Sequence, residues 1–413
     1  MECNTNGGCQ DARKHHTRDF VDIPFKLPNR LFGKNDKIRL KCIDCHAGGE
    51  PARVVLSGVP SLPQRCTTAL SKRSYMMEHY DYLRKILLLE PRGYPCQNVN
   101  FIFPPSPTLN DNADPSTMMQ NHLQYVIGEQ QKIYPLMSGH NTICVATALL
   151  ECGVIPMQEP STDFVLEAPA GLIEITAKCN RGKVESVALT NAPSFVEHLD
   201  VPVVLPNKCG AGLGGVIVKV DVAYGGMWYC IVDLKQFQSA EHQTNDCSKL
   251  RLNPACGKEL CRIGEIIKAA CREQYPVQHP TEDYPGCDIL AFRDTSQEQH
   301  VNAVIMSNNV LDWDRPETWT AMIDRSPCGT GTCAIMATLH SRGLLGMGDN
   351  FDHYSIVGSK FTGTIVNETI MDDGRVAILP KIEGSAYITQ YSEVVVDREC
   401  DPFPEGYKVA DIW

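Results

Sequence analysis

The sequence predicts an α/β (α+β) fold made of two similar halves that are related by internal duplication. Three observations lead to this prediction. Short segments that alternate apolar and polar residues recur along the chain, as half-buried strands do. The segment SGHNT at residues 138–142 is echoed by CGTGT at residues 328–332. A Gly-Gly turn between two strand-like segments precedes each of these, at residues 48–49 and 225–226.

The two echoing segments each predict the start of a helix. Residues 138–153 and 328–343 have the same length, share Gly and Thr near their start, and have a Leu at the same place. Each ends on a glycine, Gly153 or Gly343. Glycine is common just past a helix end because it adopts left-handed backbone angles without a steric cost. We therefore expect one such helix in each half.

The other predicted elements are strands, helices and connections along the chain. Ordered structure is expected from Lys37, after a polar lead-in over residues 1–36. Alternation predicts strands at 37–47, 52–58, 164–171, 172–178, 183–189, 216–226 and 227–233. Helical spacing of apolar residues predicts helices at 68–90 and 260–273. Turn residues predict a surface loop at 103–120 and a link at 202–215. The first half is expected to comprise residues 37–203 with about 378–413, and the second half residues 204–377.

Composition and charge exclude several classes of protein. The 413 residues carry 38 Lys and Arg against 49 Asp and Glu, a formal net charge of −11, which offers no basic surface to nucleic acid or anionic lipid. No stretch approaches the ~18 consecutive apolar residues that a membrane-spanning helix needs. The first residues contain no apolar core of a secretory signal. The expected partner is a small-molecule amino acid substrate, with no nucleic acid and no membrane, and the sequence leaves a homodimer open.

The nineteen cysteines predict a reducing, cytoplasmic setting rather than a disulfide framework, because their number is odd, the chain is large and no export signal is visible. Thiols in apolar runs, such as Cys144 and Cys230, are expected to be core residues. The motif CIDCH, from Cys42 to His46, matches covalent haem attachment, a redox pair or half a zinc site. Its alternation favours a strand, and no further residues complete a zinc site. We expect no metal and no cofactor.

The start of each echoing helix predicts a binding site. The first N–H groups of a helix have no intrahelical acceptor and, together with the helix dipole, attract negative charge. A thiol at such a place, as Cys328 is, is expected to have its pKa lowered from ~8.5. If the two halves face one another, Ser138 and Cys328 approach one bound carbon from opposite faces. That arrangement suits proton transfer at the α-carbon of an amino acid without a cofactor.

Residues next to the two helix starts extend the predicted site. Asp324, four residues before Cys328, is placed to contact a cationic amine, although it could instead cap a turn. His140, two residues after Ser138, could hydrogen-bond a substrate or serve a structural role. Cys328 itself could be a helix-start cysteine without chemistry. The preceding sequence DRSP, in which Pro327 fixes the entry to the helix, favours the catalytic interpretation.

Five motifs closely resemble those of the proline racemase family, which includes proline racemases, 4-hydroxyproline 2-epimerases and trans-3-hydroxy-L-proline dehydratases. In chain order they are CHAGGEPARVV, EPRG, MSGHNTICVATALLECG, YGGMWYCIVD and DRSPCGTGTCAIMATLHSRG, within about residues 37–400. The resemblance implies two similar domains of the diaminopimelate-epimerase type, with the active site in the cleft between them. By position it also implies acid/base places at Ser138 and Cys328 and substrate-binding places at Gly139, His140, Asp324, Gly329 and Thr330.

One difference from the family bears on the reaction. The proline racemases have cysteine at both acid/base places, whereas this chain has Ser138 at the first. A serine hydroxyl has a pKa far above the working pH and is a poor base unless strongly assisted, which disfavours simple proline racemisation. A dehydration needs one base at Cα and one donor for the departing 3-hydroxyl, and a thiolate with a hydroxyl meets that need.

The sequence therefore predicts dehydration of trans-3-hydroxy-L-proline to a pyrroline-2-carboxylate. The resemblance leaves 2-epimerisation of 4-hydroxyproline open as the alternative, because family members with the serine and cysteine pair are associated with both reactions. A catalytically silent protein that binds proline-like ligands is the alternative from another class.

Overall fold

The computed structural model describes residues 37–105, 123–209, 212–238, 250–280, 286–287, 289–307, 313 and 321–409. Within these ranges the α-helices are α1 (Ala69–His79), α2 (Asp81–Leu88), α3 (Gly139–Glu151), α4 (Gly257–Gln274) and α5 (Gly329–Ser341). The strands are β1 (Lys37–Ala47), β2 (Glu50–Ser57), β3 (Asn98–Phe103), β4 (Leu123–Gly128), β5 (Ser161–Ala168), β6 (Gly171–Asn180), β7 (Lys183–Thr190), β8 (Phe195–Val204), β9 (Ile217–Tyr224), β10 (Trp228–Asp233), β11 (Ile289–Arg293), β12 (His300–Ser307), β13 (Ala321–Ile323), β14 (Asn350–Tyr354), β15 (Lys360–Ile370), β16 (Val376–Gly384) and β17 (Ala386–Asp397). The predicted lead-in at 1–36 and most of the predicted loop at 103–120 lie outside the described residues.

The strand pairing repeats itself. One series of neighbours runs β17, β1, β2, β3, β4, β5, β6, β7, and the other runs β8, β9, β10, β11, β12, β14, β15, β16. The third pair of each series is parallel, the fifth pair is parallel, and the other pairs are antiparallel. Strands β7 and β16 join the two series. The same order with the same orientations in both series confirms the predicted α+β fold of two duplicated halves.

The first series takes one strand from the far end of the chain, whereas the second series is continuous in sequence from β8 to β16. Strand β17 pairs with β1, and β8 pairs with β9. The predicted boundaries at 203/204 and 377/378 fall inside β8 and β16, both of which pair with strands of the second half. The first three residues of the predicted link at 202–215 belong to β8, which ends at Val204. Because a strand belongs to the unit that satisfies its backbone hydrogen bonds, we propose that the chain crosses between halves at residues 191–194 and at Ser385.

Helices α3 and α5 form the centres of the two halves. Every residue from Gly139 to Leu150 in α3 and from Gly329 to Leu339 in α5 is buried. A helix that is buried on all sides must carry small or apolar residues all round, which explains the Ala-, Thr- and Cys-rich sequences of both. Each helix is closed by its predicted glycine, with φ +70° at Gly153 and φ +68° at Gly343. Both predicted helices are thus confirmed.

Other predicted elements are confirmed with small changes. The single helix predicted over 68–90 is split at Tyr80 into α1 and α2, and Thr68 caps α1 by accepting from the backbone N–H of Ser71. The helix predicted at 260–273 is α4, with Ile263 and Ile266 buried. Cys144 and Cys230 are fully buried core residues, as expected. In the part of the chain that the structure describes, no helix is long and apolar enough to cross a membrane.

Candidate active site

The starts of α3 and α5 touch one another at two glycines. A Cβ atom placed on Gly139 would lie 2.9 Å from the Cα of Gly329, and a Cβ on Gly329 would lie 2.8 Å from the Cα of Gly139. Real Cβ atoms do not come so close to backbone, so only glycine at both places allows the two helix ends to meet. The contact brings two sets of unsatisfied backbone N–H groups to one point in the molecule.

A cavity of about 260 Å³ lies at this meeting point. All seven residues predicted for the site line it, namely Ser138, Gly139, His140, Asp324, Cys328, Gly329 and Thr330. Apolar side chains such as Met77, Met306 and Ile289 form part of its wall. A small apolar cavity with a few convergent polar groups is typical of a binding site for a small molecule.

Ser138 precedes α3, and its hydroxyl oxygen is held by hydrogen bonds. Asn141 Nδ2 donates to Ser138 Oγ at 3.1 Å, and His140 Nδ1 lies 3.2 Å from the same oxygen. Asn98 Nδ2 donates to His140 Nε2 at 2.9 Å in this orientation of the amide, which leaves the ring proton on Nδ1, facing Ser138. Burial lowers the pKa of His140, although the charge of Asp324 opposes this. The Ser138 oxygen therefore receives two hydrogen bonds from neutral donors.

Cys328 precedes α5 in a left-handed backbone conformation, with φ +64°. This angle is unusual for a residue with a side chain and persists only where the surroundings fix it. Ser326 Oγ accepts from the Cys328 N–H at 3.1 Å, and Thr332 Oγ1 donates to the Cys328 carbonyl at 2.7 Å. Tyr229 lies beside the thiol, with its hydroxyl 3.2 Å from Cys328 Sγ and 2.6 Å from Thr330 Oγ1. These contacts hold the Cys328 thiol in the wall of the cavity, between the two helix starts.

The expectation of a lowered pKa for Cys328 is wrong. Burial raises the pKa of the thiol well above its usual range, and the negative charge of Asp324 raises it further. Hydrogen bonds from Tyr229, the Gly331 N–H and Thr330 act in the opposite direction but do not compensate. The sequence shows that a cysteine begins a helix, but it shows neither how completely the thiol is buried nor which charge faces it.

Asp324 both caps a turn and lines the cavity. Its Oδ1 accepts from the N–H and from the hydroxyl of Ser326, each at 2.8 Å. The segment that carries it is also tied to the other half, because Glu50 Oε2 accepts from the Arg325 N–H at 2.7 Å. Burial raises the pKa of Glu50 well above its usual range, and the charge of Asp324 adds to this effect. The two interpretations of Asp324 are therefore compatible.

Among the residues at or beside the cavity that the sequence did not predict, four bear on its chemistry. Asn98 begins β3 and Glu129 follows β4, two strands that the periodicity did not indicate. Tyr229 lies in the motif YGGMWYCIVD, where the family resemblance was the available signal. Glu50 lies in the motif CHAGGEPARVV and contacts the backbone of the other half at Arg325. No spacing rule connects these positions, because they meet only across strands and halves.

Two features together define the class of protein: an α+β chain of two equivalent halves, and one cavity between the helix starts of those halves. The chain belongs to the proline racemase family, whose model, described as proline racemase, matches residues 42–408. The match spans most of the chain, as the five motifs predicted.

The chain is similar to two proteins that are named 4-hydroxyproline 2-epimerases. The chain is 35% identical over 378 residues to a 4-hydroxyproline 2-epimerase of Rhizobium etli, covering 91% of this chain and 97% of that protein. It is 33% identical over 378 residues to 4-hydroxyproline 2-epimerase 1 of Rhizobium rhizogenes, with 91% and 97% coverage.

Two solved structures share the fold. One is a hydroxyproline epimerase from Agrobacterium vitis with bound trans-4-hydroxy-L-proline, at TM-score 0.73 and 32% identity, covering 91% of this chain and 97% of that one. The other is a probable proline racemase from Agrobacterium radiobacter with bound carbonate, at TM-score 0.73 and 34% identity, covering 91% and 98%.

Proposed function

We propose that this protein catalyses the 2-epimerisation of 4-hydroxyproline, removing the Cα proton on one face and returning a proton on the other. The observation that carries the proposal is that Ser138 and Cys328, each at the start of a central helix, line one small cavity. The names of the relatives, 4-hydroxyproline 2-epimerases at 35% and 33% identity, support the same reaction.

The substrate is a zwitterion, and the cavity offers a partner to each charge. The carboxylate of the substrate binds the free N–H groups at the two helix starts, which carry partial positive charge. The ammonium group of the substrate binds Asp324, which lines the cavity with Cys328. Fixed donors at the carboxylate also stabilise the negative charge that develops as the Cα proton leaves.

Substrate binding activates the Cys328 thiol. The charge of Asp324 helps to raise the pKa of this thiol. The positive charge of a bound ammonium group offsets that negative charge, which favours the thiolate. Cys328 thus becomes a base when a substrate is there to be deprotonated.

Ser138 has two hydrogen-bond donors beside its hydroxyl oxygen, an assistance that the sequence did not show. Its oxygen accepts from Asn141 and faces the proton on His140 Nδ1. Two donors stabilise the alkoxide that forms when the hydroxyl gives its proton to Cα, which answers the objection that serine is a poor partner in a two-base reaction. For this reason we favour epimerisation over the dehydration predicted from the sequence.

Dehydration of trans-3-hydroxy-L-proline is the second candidate. The observation in its favour is the chemical asymmetry of the site, with a thiol at the start of one helix and a hydroxyl at the start of the other. In that reaction Cys328 takes the Cα proton and Ser138 protonates the departing 3-hydroxyl. Racemisation of proline has the weakest support, since the family racemases carry two cysteines.

Incubation of the purified protein with each substrate in deuterated water separates these reactions. Epimerisation converts trans-4-hydroxy-L-proline into its C2 epimer, cis-4-hydroxy-D-proline, with deuterium at Cα. Dehydration of trans-3-hydroxy-L-proline instead gives a pyrroline-2-carboxylate that can be trapped by reduction. Binding without exchange or elimination for any isomer at high protein concentration would leave only the silent binder.

The remaining expectations about partners and location stay predictions. These are a small-molecule substrate without nucleic acid or membrane, an open question of homodimer formation, a cytoplasmic setting, and chemistry without metal or cofactor.

A further inference from the structure

Glu129 is a titratable group in the cavity that the proposed mechanism does not use. It directly follows β4 and lines the cavity together with Ser138 and Cys328. No motif of the sequence indicates a role for it. Its position among the lining residues is the result of the path that the chain takes from β4 to α3.

The backbone of Glu129 is fixed on both sides. Its N–H donates to the Ile133 carbonyl at 2.7 Å, and its carbonyl accepts from Arg84 Nη1 at 3.1 Å. Arg84 is in turn held by both carboxylate oxygens of Asp81, at 2.7 and 3.0 Å. This framework keeps the Glu129 side chain at the cavity, as a preorganised binding group requires.

The Glu129 carboxyl has no hydrogen-bond partner among the described residues, whereas most polar groups of the cavity are already paired. His140 is hydrogen-bonded to both Ser138 and Asn98, and Tyr229 is hydrogen-bonded to both Cys328 and Thr330. A carboxyl group beside a cavity without an internal partner is available to a bound molecule.

Glu129 is chemically suited to a hydroxyl group. Burial raises its pKa to about 8, with a further contribution from the charge of Asp324. The group is therefore mostly protonated at neutral pH, and a neutral carboxyl both donates and accepts a hydrogen bond, as a hydroxyl does. Asp324, whose Oδ1 accepts two hydrogen bonds from Ser326, is the better partner for the ammonium group.

We propose that Glu129 recognises the ring hydroxyl of the substrate and so makes the site selective for hydroxylated prolines over proline. This inference rests on the proposed function for the placement of the carboxylate and the ammonium group. It assigns the one remaining polar group of the substrate to the unpaired carboxyl of the cavity wall.

The test compares binding of trans-4-hydroxy-L-proline with binding of L-proline, which lacks only the hydroxyl. Dissociation constants are measured by calorimetry for wild type, Glu129→Met and Glu129→Gln, and Cα deuterium exchange is measured separately. In Glu129→Met, binding of hydroxyproline should weaken about tenfold, because one hydrogen bond is lost, while binding of L-proline stays within about twofold. Glu129→Gln should resemble wild type, because an amide also donates and accepts.

Several outcomes overturn the inference. Equal weakening of both ligands in Glu129→Met would assign Glu129 to the ammonium group or to structure, and unchanged binding of both would give it no role. A wild-type protein without preference for hydroxyproline would also overturn it. If Glu129→Met does not fold, Glu129→Ala takes its place. Selective binding without any Cα exchange would contradict the proposed function and leave this inference standing.

Discussion

The two acid/base residues at the centre of the site owe their chemistry to what surrounds them. Cys328 is a buried thiol whose pKa is raised by burial and by Asp324. Ser138 is a hydroxyl whose oxygen contacts Asn141 and His140. A cysteine that is harder to ionise and a serine that is better supported are closer in behaviour than their residue types suggest. This is the residue-scale reason that a two-base reaction is compatible with an unlike pair.

Replacement of Cys328 by alanine tests its role as the base. Cys328→Ala should lower the rate of Cα exchange by about 10²–10⁴-fold, the usual contribution of a general base, while the dissociation constant of hydroxyproline changes little. Cys333→Ala is the matched control, because Cys333 is a buried thiol one turn later in α5 that does not line the cavity. Equal loss in both variants would point to helix packing instead of catalysis.

Replacement of Ser138 by alanine tests whether the two residues act on opposite faces. Ser138→Ala should abolish conversion between the two C2 epimers of 4-hydroxyproline. The epimer whose Cα–H faces Cys328 should still exchange that proton with deuterated solvent, because the thiolate can remove and return it on one face. NMR of each epimer separately measures this. Full epimerisation by the variant would contradict the assignment of Ser138.

At the scale of single elements, the two central helices were the most predictable part of the chain. Their starts at Ser138 and Cys328 and their ends at Gly153 and Gly343 could be read from local sequence, because capping and closure depend on a few neighbouring residues. Strands such as β3 and β4 were missed. Their residues are buried on both faces, so they lack the alternation that marks a half-buried strand.

The contact between the two helix starts leads to a test of its own. Gly139→Ala should weaken hydroxyproline binding by at least about tenfold, because the new methyl group meets the Cα of Gly329 and forces the helix ends apart; overpacking of this kind costs about 1–3 kcal/mol. Calorimetry measures the loss of binding, and thermal unfolding measures the loss of stability.

Gly182→Ala provides the comparison for Gly139→Ala. Gly182 lies in the turn between β6 and β7 with φ +70°, and nothing lies within 4 Å of its Cβ position. The substitution should cost about 1–2 kcal/mol of backbone strain without changing ligand binding. If Gly139→Ala behaves in the same way, the close approach of the helices has no part in the site.

At the scale of the whole molecule, stability depends on buried groups far apart in sequence. His353 on β14 is buried between Asn302 and Thr332, and burial lowers its pKa to about 3, with a smaller effect of His300. The folded protein keeps this imidazole neutral, whereas in the unfolded chain it binds a proton below the ordinary histidine pKa of 6.5. Its contribution to stability is therefore lost as the pH falls from 6.5 toward 3.

His353→Gln removes this dependence on pH. Relative to wild type, the free energy of unfolding of the variant should rise by about 2 kcal/mol between about pH 6.5 and about pH 5, at roughly 1.36 kcal/mol per unit of pH. Urea unfolding at both pH values measures the difference. His79→Gln is the control, because His79 is exposed on α1. A difference that stays constant with pH would show that His353 has the same pKa in the folded protein as in the unfolded chain.

The sequence by itself determined the duplication, the two central helices, the family and the seven residues at the helix starts, because these depend on local spacing and on repeated motifs. Only the tertiary structure decided that Gly139 meets Gly329, that Asn98 and Glu129 join the cavity, and that Cys328 is held in a raised-pKa state facing Asp324. The physical reason is that desolvation and charge act through space. They are fixed by residues that strands and halves bring together, and no pattern along the chain records which of these will meet.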